Sequence, residues 1–157
     1  MRGTVDIDPA LVTPVTMQFA AECPGYALSR VTVRDHVVTI DEPAERGGTN
    51  EGPTPTETFV SSLVGVTNVI LRRIAKRDGI AIRSLSVTAE AELDRRGVWL
   101  VEPVTVPWRA IAMALTIDTD ADEAQLAVWE EDLQAFSPIH ALLRAGGTPV
   151  TLAWRRA

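Results

Sequence analysis

The chain has 157 residues, 46% of them hydrophobic, and a formal net charge of −6; this is enough for one domain with a real core and too short to expect two. The basic residues are scattered apart from a cluster at 72–77 and Arg155-Arg156, which argues against a surface that tracks nucleic-acid phosphates. One cysteine, Cys23, excludes an internal disulfide framework; Arg72-Arg73 closes the longest apolar run short of the ~20 residues of a membrane span, and the N-terminus lacks a secretory apolar stretch, so a cytoplasmic protein without a membrane partner is expected.

Residues 1–11 show little pattern around Pro9 and read as a mobile arm or an edge segment. From Val12 to Phe19, Val15, Met17 and Phe19 alternate with Thr16 and Gln18, the pattern of a strand with one buried face. Pro24-Gly25 marks a turn. Leu28 to Arg34 and His36 to Asp41 are rich in Val, Thr and Ile and form a hairpin around Asp35. Residues 42–53 are rich in Gly and Pro; without a Gly-Lys-Ser/Thr ending they read as a turn-forming connection rather than a phosphate cradle.

Thr54-Pro-Thr-Glu57 is a capping box with Pro55 at the first helical position, so a helix begins there. It runs to about Arg77, where cations suit the negative pole of the helix dipole and Asp78-Gly79 stops it. Phe59, Val60, Leu63, Val64, Val66, Val69, Ile70 and Leu71 point in nearly all directions, which predicts a central, buried helix. Leu85 to Asp94 alternates strictly and is the clearest strand. Residues 95–107, broken by Gly97, Pro103 and Pro107, form a long connection of the kind that lids a site or reaches a partner. Trp108 to Asp118 sets Ile111, Met113, Leu115 and Ile117 against Ala110, Ala112 and Ala114, which predicts a strand covered on both sides.

Asp120-Ala-Asp-Glu123 reads as a second capping box, opening a helix with Leu126, Trp129, Leu133 and Phe136 on one face. Asp118, Asp120 and Asp122 imitate half a calcium loop, but Glu123 and Trp129 stand where glycine and glutamate are needed. Ser137-Pro138 restarts the helix, Gly146-Gly147 ends it, and Thr148 to Trp154 is a last strand. The order is β-β-β-α-β-β-α-α-β, an α+β arrangement.

The run Asp41-Glu-Pro, then Gly47-Gly-Thr-Asn-Glu-Gly-Pro-Thr-Pro-Thr-Glu57, then Leu63-Val-Gly-Val-Thr-Asn-Val69 resembles the OsmC/Ohr family of organic-hydroperoxide-reducing proteins. The resemblance implies an OsmC-like fold, an intertwined homodimer around the long helix, and a site at the subunit interface. It also implies a two-cysteine cycle. The family's Leu-x-Gly-Cys-Thr motif carries the attacking cysteine, and Val66 stands at that position. A later Cys-Pro pair supplies the resolving cysteine, matched here by Ser137-Pro138. A thiolate attacks the peroxide and passes through a sulfenic acid to a disulfide; valine offers no such chemistry, and a serine hydroxyl is not oxidised to a sulfenate.

No catalytic set is therefore intact. Glu57 matches a family glutamate that orients a catalytic arginine, though its capping role alone explains it; Arg30 or Arg34 would be the partner. Cys23, beside Glu22 and Pro24-Gly25, reads as an inert thiol or small apolar filler. Ser137 and His140 are spaced for a hydrolase pair, but Ser137 is better placed as a helix cap. His36 and His140 lie too far apart to suggest a metal site by spacing, and no cofactor or metal is expected. The expectation is an OsmC/Ohr-like protein in an oxidative-stress context that is not a thiol peroxidase. It keeps an apolar interface pocket for a small apolar or acyl ligand. The alternative is an organic hydroperoxide reductase working through Cys23 or in a mixed dimer.

Overall fold

The computed structural model describes residues 7–157, so residues 1–6 of the expected arm lie outside the described residues. Its contacts group the chain into two compact parts, one ending at Ser61 and one running from Ser62 to Ala157.

The first part begins with a 3-10 turn, Pro9–Leu11, capped by the Asp8 carboxylate, which accepts from Ala10 N–H at 2.9 Å. A three-stranded antiparallel sheet follows: β1 (Ala20–Glu22), β2 (Ser29–Val33) and β3 (His36–Ile40), in that order. The strand expected over 12–19 is absent, and β1 has three residues instead. The register shows why. Ala20 pairs with Thr32 and Glu22 with Arg30, so residues before 19 run past the end of β2, where Arg34 turns the hairpin at φ 54°. Without a neighbouring ladder, alternation alone makes no strand; Val15, Met17 and Phe19 are exposed in the single chain.

The helix α1 (Pro55–Arg77) starts and stops as its caps dictate. Leu63, Thr67, Leu71, Ile74 and Ala75 are its buried residues, a single stripe at helical spacing. The expectation of all-round burial is corrected: Val69 is 45% exposed and Val66 only half-buried. By length and composition alone α1 is the one described helix long and apolar enough to cross a bilayer, a test that the core helix of a globular domain also passes.

In the second part β4 (Ile82–Leu93) and β5 (Trp108–Thr119) form a long antiparallel hairpin, and β6 (Val150–Arg156) lies parallel to β5 at the far edge. A parallel neighbour needs a crossover, supplied by α2 (Glu123–Phe136) and α3 (Pro138–Ala145). The N-cap of α2 is Asp122, which accepts from Gln125 N–H at 2.7 Å, rather than Asp120. Asp118 and Asp120 both pair with Arg83. Ile111, Met113, Leu115 and Ile117 of β5 are buried, as are Leu126, Trp129 and Leu133 of α2. On the reverse face Ala110 and Ala112 are exposed and Ala114 is half-buried, so that face of β5 is only partly covered within the chain.

A buried polar lock ties the end of α1 to α2. Asp78 Oδ2 accepts from Trp129 Nε1 and Gln125 Nε2, each at 2.9 Å, and Arg77 donates to Asp78 Oδ1 at 2.8 Å and to Asp132 Oδ2 at 2.7 Å. Asp132 is fully buried and Trp129 likewise. The Trp129 indole and Asp132 Oδ2 are thereby paired, while Asp132 Oδ1 has no hydrogen-bond partner among the described residues.

Candidate functional site

The approach to α1 is organised by Asp41, which follows β3 and is fully buried. Its carboxylate accepts from Thr49 Oγ1 (2.7 Å) and from the backbone N–H groups of Glu42 (2.8 Å), Thr49 (2.9 Å) and Glu51 (3.1 Å). The Thr49 hydroxyl and these amides hold its pKa down to about 2, against the opposing effect of burial. The loop thus wraps a carboxylate of its own, as a turn-forming connection should. It also crowds: a Cβ at Gly48 would lie 1.7 Å from the carbonyl oxygen of Glu42.

The loop delivers the chain to the α1 cap. Glu57 N–H donates to Thr54 Oγ1 at 3.2 Å, and Thr54 N–H donates back to the Glu57 carboxylate at 2.7 Å. Glu57 is held below the usual carboxylate range by the Thr54 backbone bond first, with Arg46 adding a smaller Coulombic pull. The arginines named as its partners are elsewhere: Arg30 binds Glu51 at 2.7 Å and Arg34 occupies the hairpin turn.

Val66 lies nine residues further along α1, about 13 Å of rise and half a turn out of phase with Glu57. Val66 is half-buried, while a Cβ at the preceding Gly65 would meet no atom within 4 Å. Ser137 sits at the α2–α3 junction, fully buried. Its Oγ accepts from His140 N–H at 3.4 Å, the capping bond, and lies 2.9 Å from His140 Nδ1. The sequence showed the cap but not the second bond, which follows only when the imidazole folds back over its own helix start. This is not a hydrolase pair: the serine is sealed from solvent, and among the described residues no carboxylate is bonded to the other ring nitrogen. Burial pushes the His140 imidazole below its ordinary pKa.

Cys23 is exposed in the segment after β1, its Sγ 3.6 Å from Ser29 Oγ. The reading as apolar filler is therefore wrong. No group of three or more His, Cys, Asp or Glu residues arranged to hold a metal occurs among the described residues. The 95–107 connection is tied down at its base, where Asp94 accepts from Arg96 and Arg109, and Arg96 also pairs with Glu102. Beyond that base Val98, Trp99, Leu100 and Val101 are exposed, with Arg95 stacked 5.0 Å from the Trp99 ring.

Two three-stranded sheets with one long helix and a two-helix crossover define the class of protein as an OsmC-like α+β fold. The model of the family described as OsmC-like protein matches residues 48–153. The chain belongs to that family. Among solved structures, it is similar to an OsmC-like protein from Mycoplasma pneumoniae (TM-score 0.76, 14% identity, covering 92% of this chain and 99% of that one). It is also similar to the organic hydroperoxide resistance protein OhrB of Bacillus subtilis (TM-score 0.62, 18% identity, 90% and 98%). A third is a protein from Vibrio cholerae described as an organic hydroperoxide resistance protein with captopril bound in one of its active sites (TM-score 0.67, 16% identity, 92% and 94%). No curated protein matches by sequence.

Proposed function

We propose that this chain is an OsmC/Ohr-like protein that has left the family's thiol peroxidase chemistry, with Val66 at the position of the attacking cysteine and Ser137 at that of the resolving one. The observation that carries this is the sulfur inventory: the single thiol, Cys23, lies at an exposed site after β1. A hydrocarbon side chain neither ionises nor accepts oxygen from a peroxide, and Ser137 is committed to capping α3.

The same reading keeps the scaffold's dimer and its pocket. The α1 flank with half-buried Val66 and exposed Val69, and likewise exposed Val15, Met17 and Phe19, is covered by a second copy of the chain. In this reading a small apolar or acyl ligand is held beside Val66 at that interface. Size-exclusion chromatography with light scattering tests the dimer, and a strictly monomeric protein at micromolar concentration refutes it. Turnover of an organic hydroperoxide with a dithiol reductant tests the chemistry. The wild type is expected to be inactive, and activity that disappears in Cys23→Ser would establish the competing reading of a reductase working through that thiol.

A further inference from the structure

Strand β6 ends its sheet, with β5 on one side and no further strand on the other among the described residues. Ile111 N–H donates to the Pro149 carbonyl at 3.0 Å, and Ala157 N–H donates to the Ile117 carbonyl at 3.1 Å. In a parallel pair, alternate residues bond to a given neighbour, so Thr151 and Ala153 face β5 and the backbone N–H and C=O of Leu152 and Trp154 point to the open edge. Proteins usually guard such an edge. β6 has no proline and no bulge, and its only charges are Arg155 and Arg156 at its end.

Beside that end lies a groove of about 260 Å³, lined by Glu123, Leu126, Ala127 and Glu130 of α2 and by residues 154–156 of β6. It is smaller than the ~300–1,000 Å³ usual for drug-sized ligands, so it suits the side chains of a bound chain. Glu123 is exposed, and the Trp154 indole donates to the Glu130 carboxylate at 2.8 Å, which holds that charge at the groove. Of the two cations, Arg156 is spent on the Thr119 and Ala121 carbonyls. Arg155 alternates to the face opposite Trp154, beside Thr116. Two carboxylates next to the hydrocarbon of Leu126 and Ala127 match a long basic side chain, whose stem is apolar and whose head is charged.

We propose that the open edge of β6 and the flank of α2 form a docking groove for an extended basic peptide. The peptide adds to β6 as a further strand through Leu152 and Trp154, and its lysine or arginine side chains run along Leu126 and Ala127 to Glu123 and Glu130. Neither Val66 nor Ser137 takes part, so the site stands independently of the reading above.

The probe is a capped, fluorescein-labelled hexapeptide of alternating threonine and lysine, with affinity read by anisotropy and the edge by amide hydrogen exchange on the intact protein. Binding should be saturable and slow exchange at Leu152 and Trp154 by at least about tenfold, leaving Thr151 and Ala153 unchanged. Glutamate in place of lysine, or N-methylation of the peptide backbone, should weaken binding at least about tenfold, as should Glu123→Lys in the protein. Glu123 is exposed, so the fold survives that substitution. No binding, binding without slowed exchange at Leu152 and Trp154, or unchanged affinity in any of the three comparisons would overturn the proposal. Slowed exchange at the same amides on concentrating the protein alone would place a second copy on the edge and overturn it too.

Discussion

Replacing Asp78 by alanine tests whether the polar lock at the end of α1 holds the second part of the chain together. The side chain is 5% exposed, and one of its oxygens accepts both the Trp129 indole N–H and the Gln125 amide, each at 2.9 Å. Trp129 is fully buried and Gln125 nearly so, so neither donor gains water when the carboxylate goes. Each orphaned buried donor costs about 1–3 kcal/mol. Arg77 also loses one of its two carboxylates, keeping Asp132. The total is about 3–5 kcal/mol. For a chain of this length that lowers the melting temperature by on the order of 10 °C. Urea unfolding followed by tryptophan fluorescence reads it directly, since Trp129 reports on its own surroundings. Asp118→Asn is the control: its partner Arg83 is half exposed, and the midpoint should scarcely move. A loss below about 1 kcal/mol in Asp78→Ala would refute the reasoning.

Thr54→Ala removes the side-chain half of the capping box at the start of α1 and should cost about 1 kcal/mol in the same assay, with Thr54→Ser recovering most of it. Gly48→Ala forces a carbon onto the Glu42 carbonyl, so it should lower expression and melting temperature more than Gly65→Ala, which enters open space. The Asp41 carboxyl is depressed from 3.8 to about 2 in the folded state. Its contribution is therefore fully present above pH 3.8 and lost as pH falls toward 2, because the unfolded chain takes up the proton first. Asp41→Asn should flatten the stability profile across that window, and an unchanged slope would contradict it.

What was legible in the sequence was what neighbouring residues decide among themselves. Thr54, Pro55 and Glu57 fix the start of α1 within one turn, Ser137 and Pro138 do the same for α3, and strict alternation marks β4. What failed depended on partners distant in sequence. Val15 and Met17 alternate correctly, but β2 ends before it can pair with them, and Phe19 falls opposite its last residue. The α1 apolar set reads as all-round burial because periodicity counts side chains and not the surfaces opposite them. Asp41 was visible as part of a motif, yet its role as the hub of the 41–51 loop appears only when four donors converge on it. Asp78 was seen as a stop signal, whereas its main role is across to α2. At the candidate site Val66 and Ser137 came from motif position, and the unpartnered His140 Nε2 had no sequence signal.

The central claim is that the organic-hydroperoxide chemistry left this scaffold with its sulfur atoms. The most direct measurement is the steady-state consumption of cumene hydroperoxide with dihydrolipoamide as reductant, comparing wild type with the Val66→Cys/Ser137→Cys double variant. The account predicts background turnover for the wild type and gain of activity in the variant. Enzymatic turnover by the wild type would contradict it.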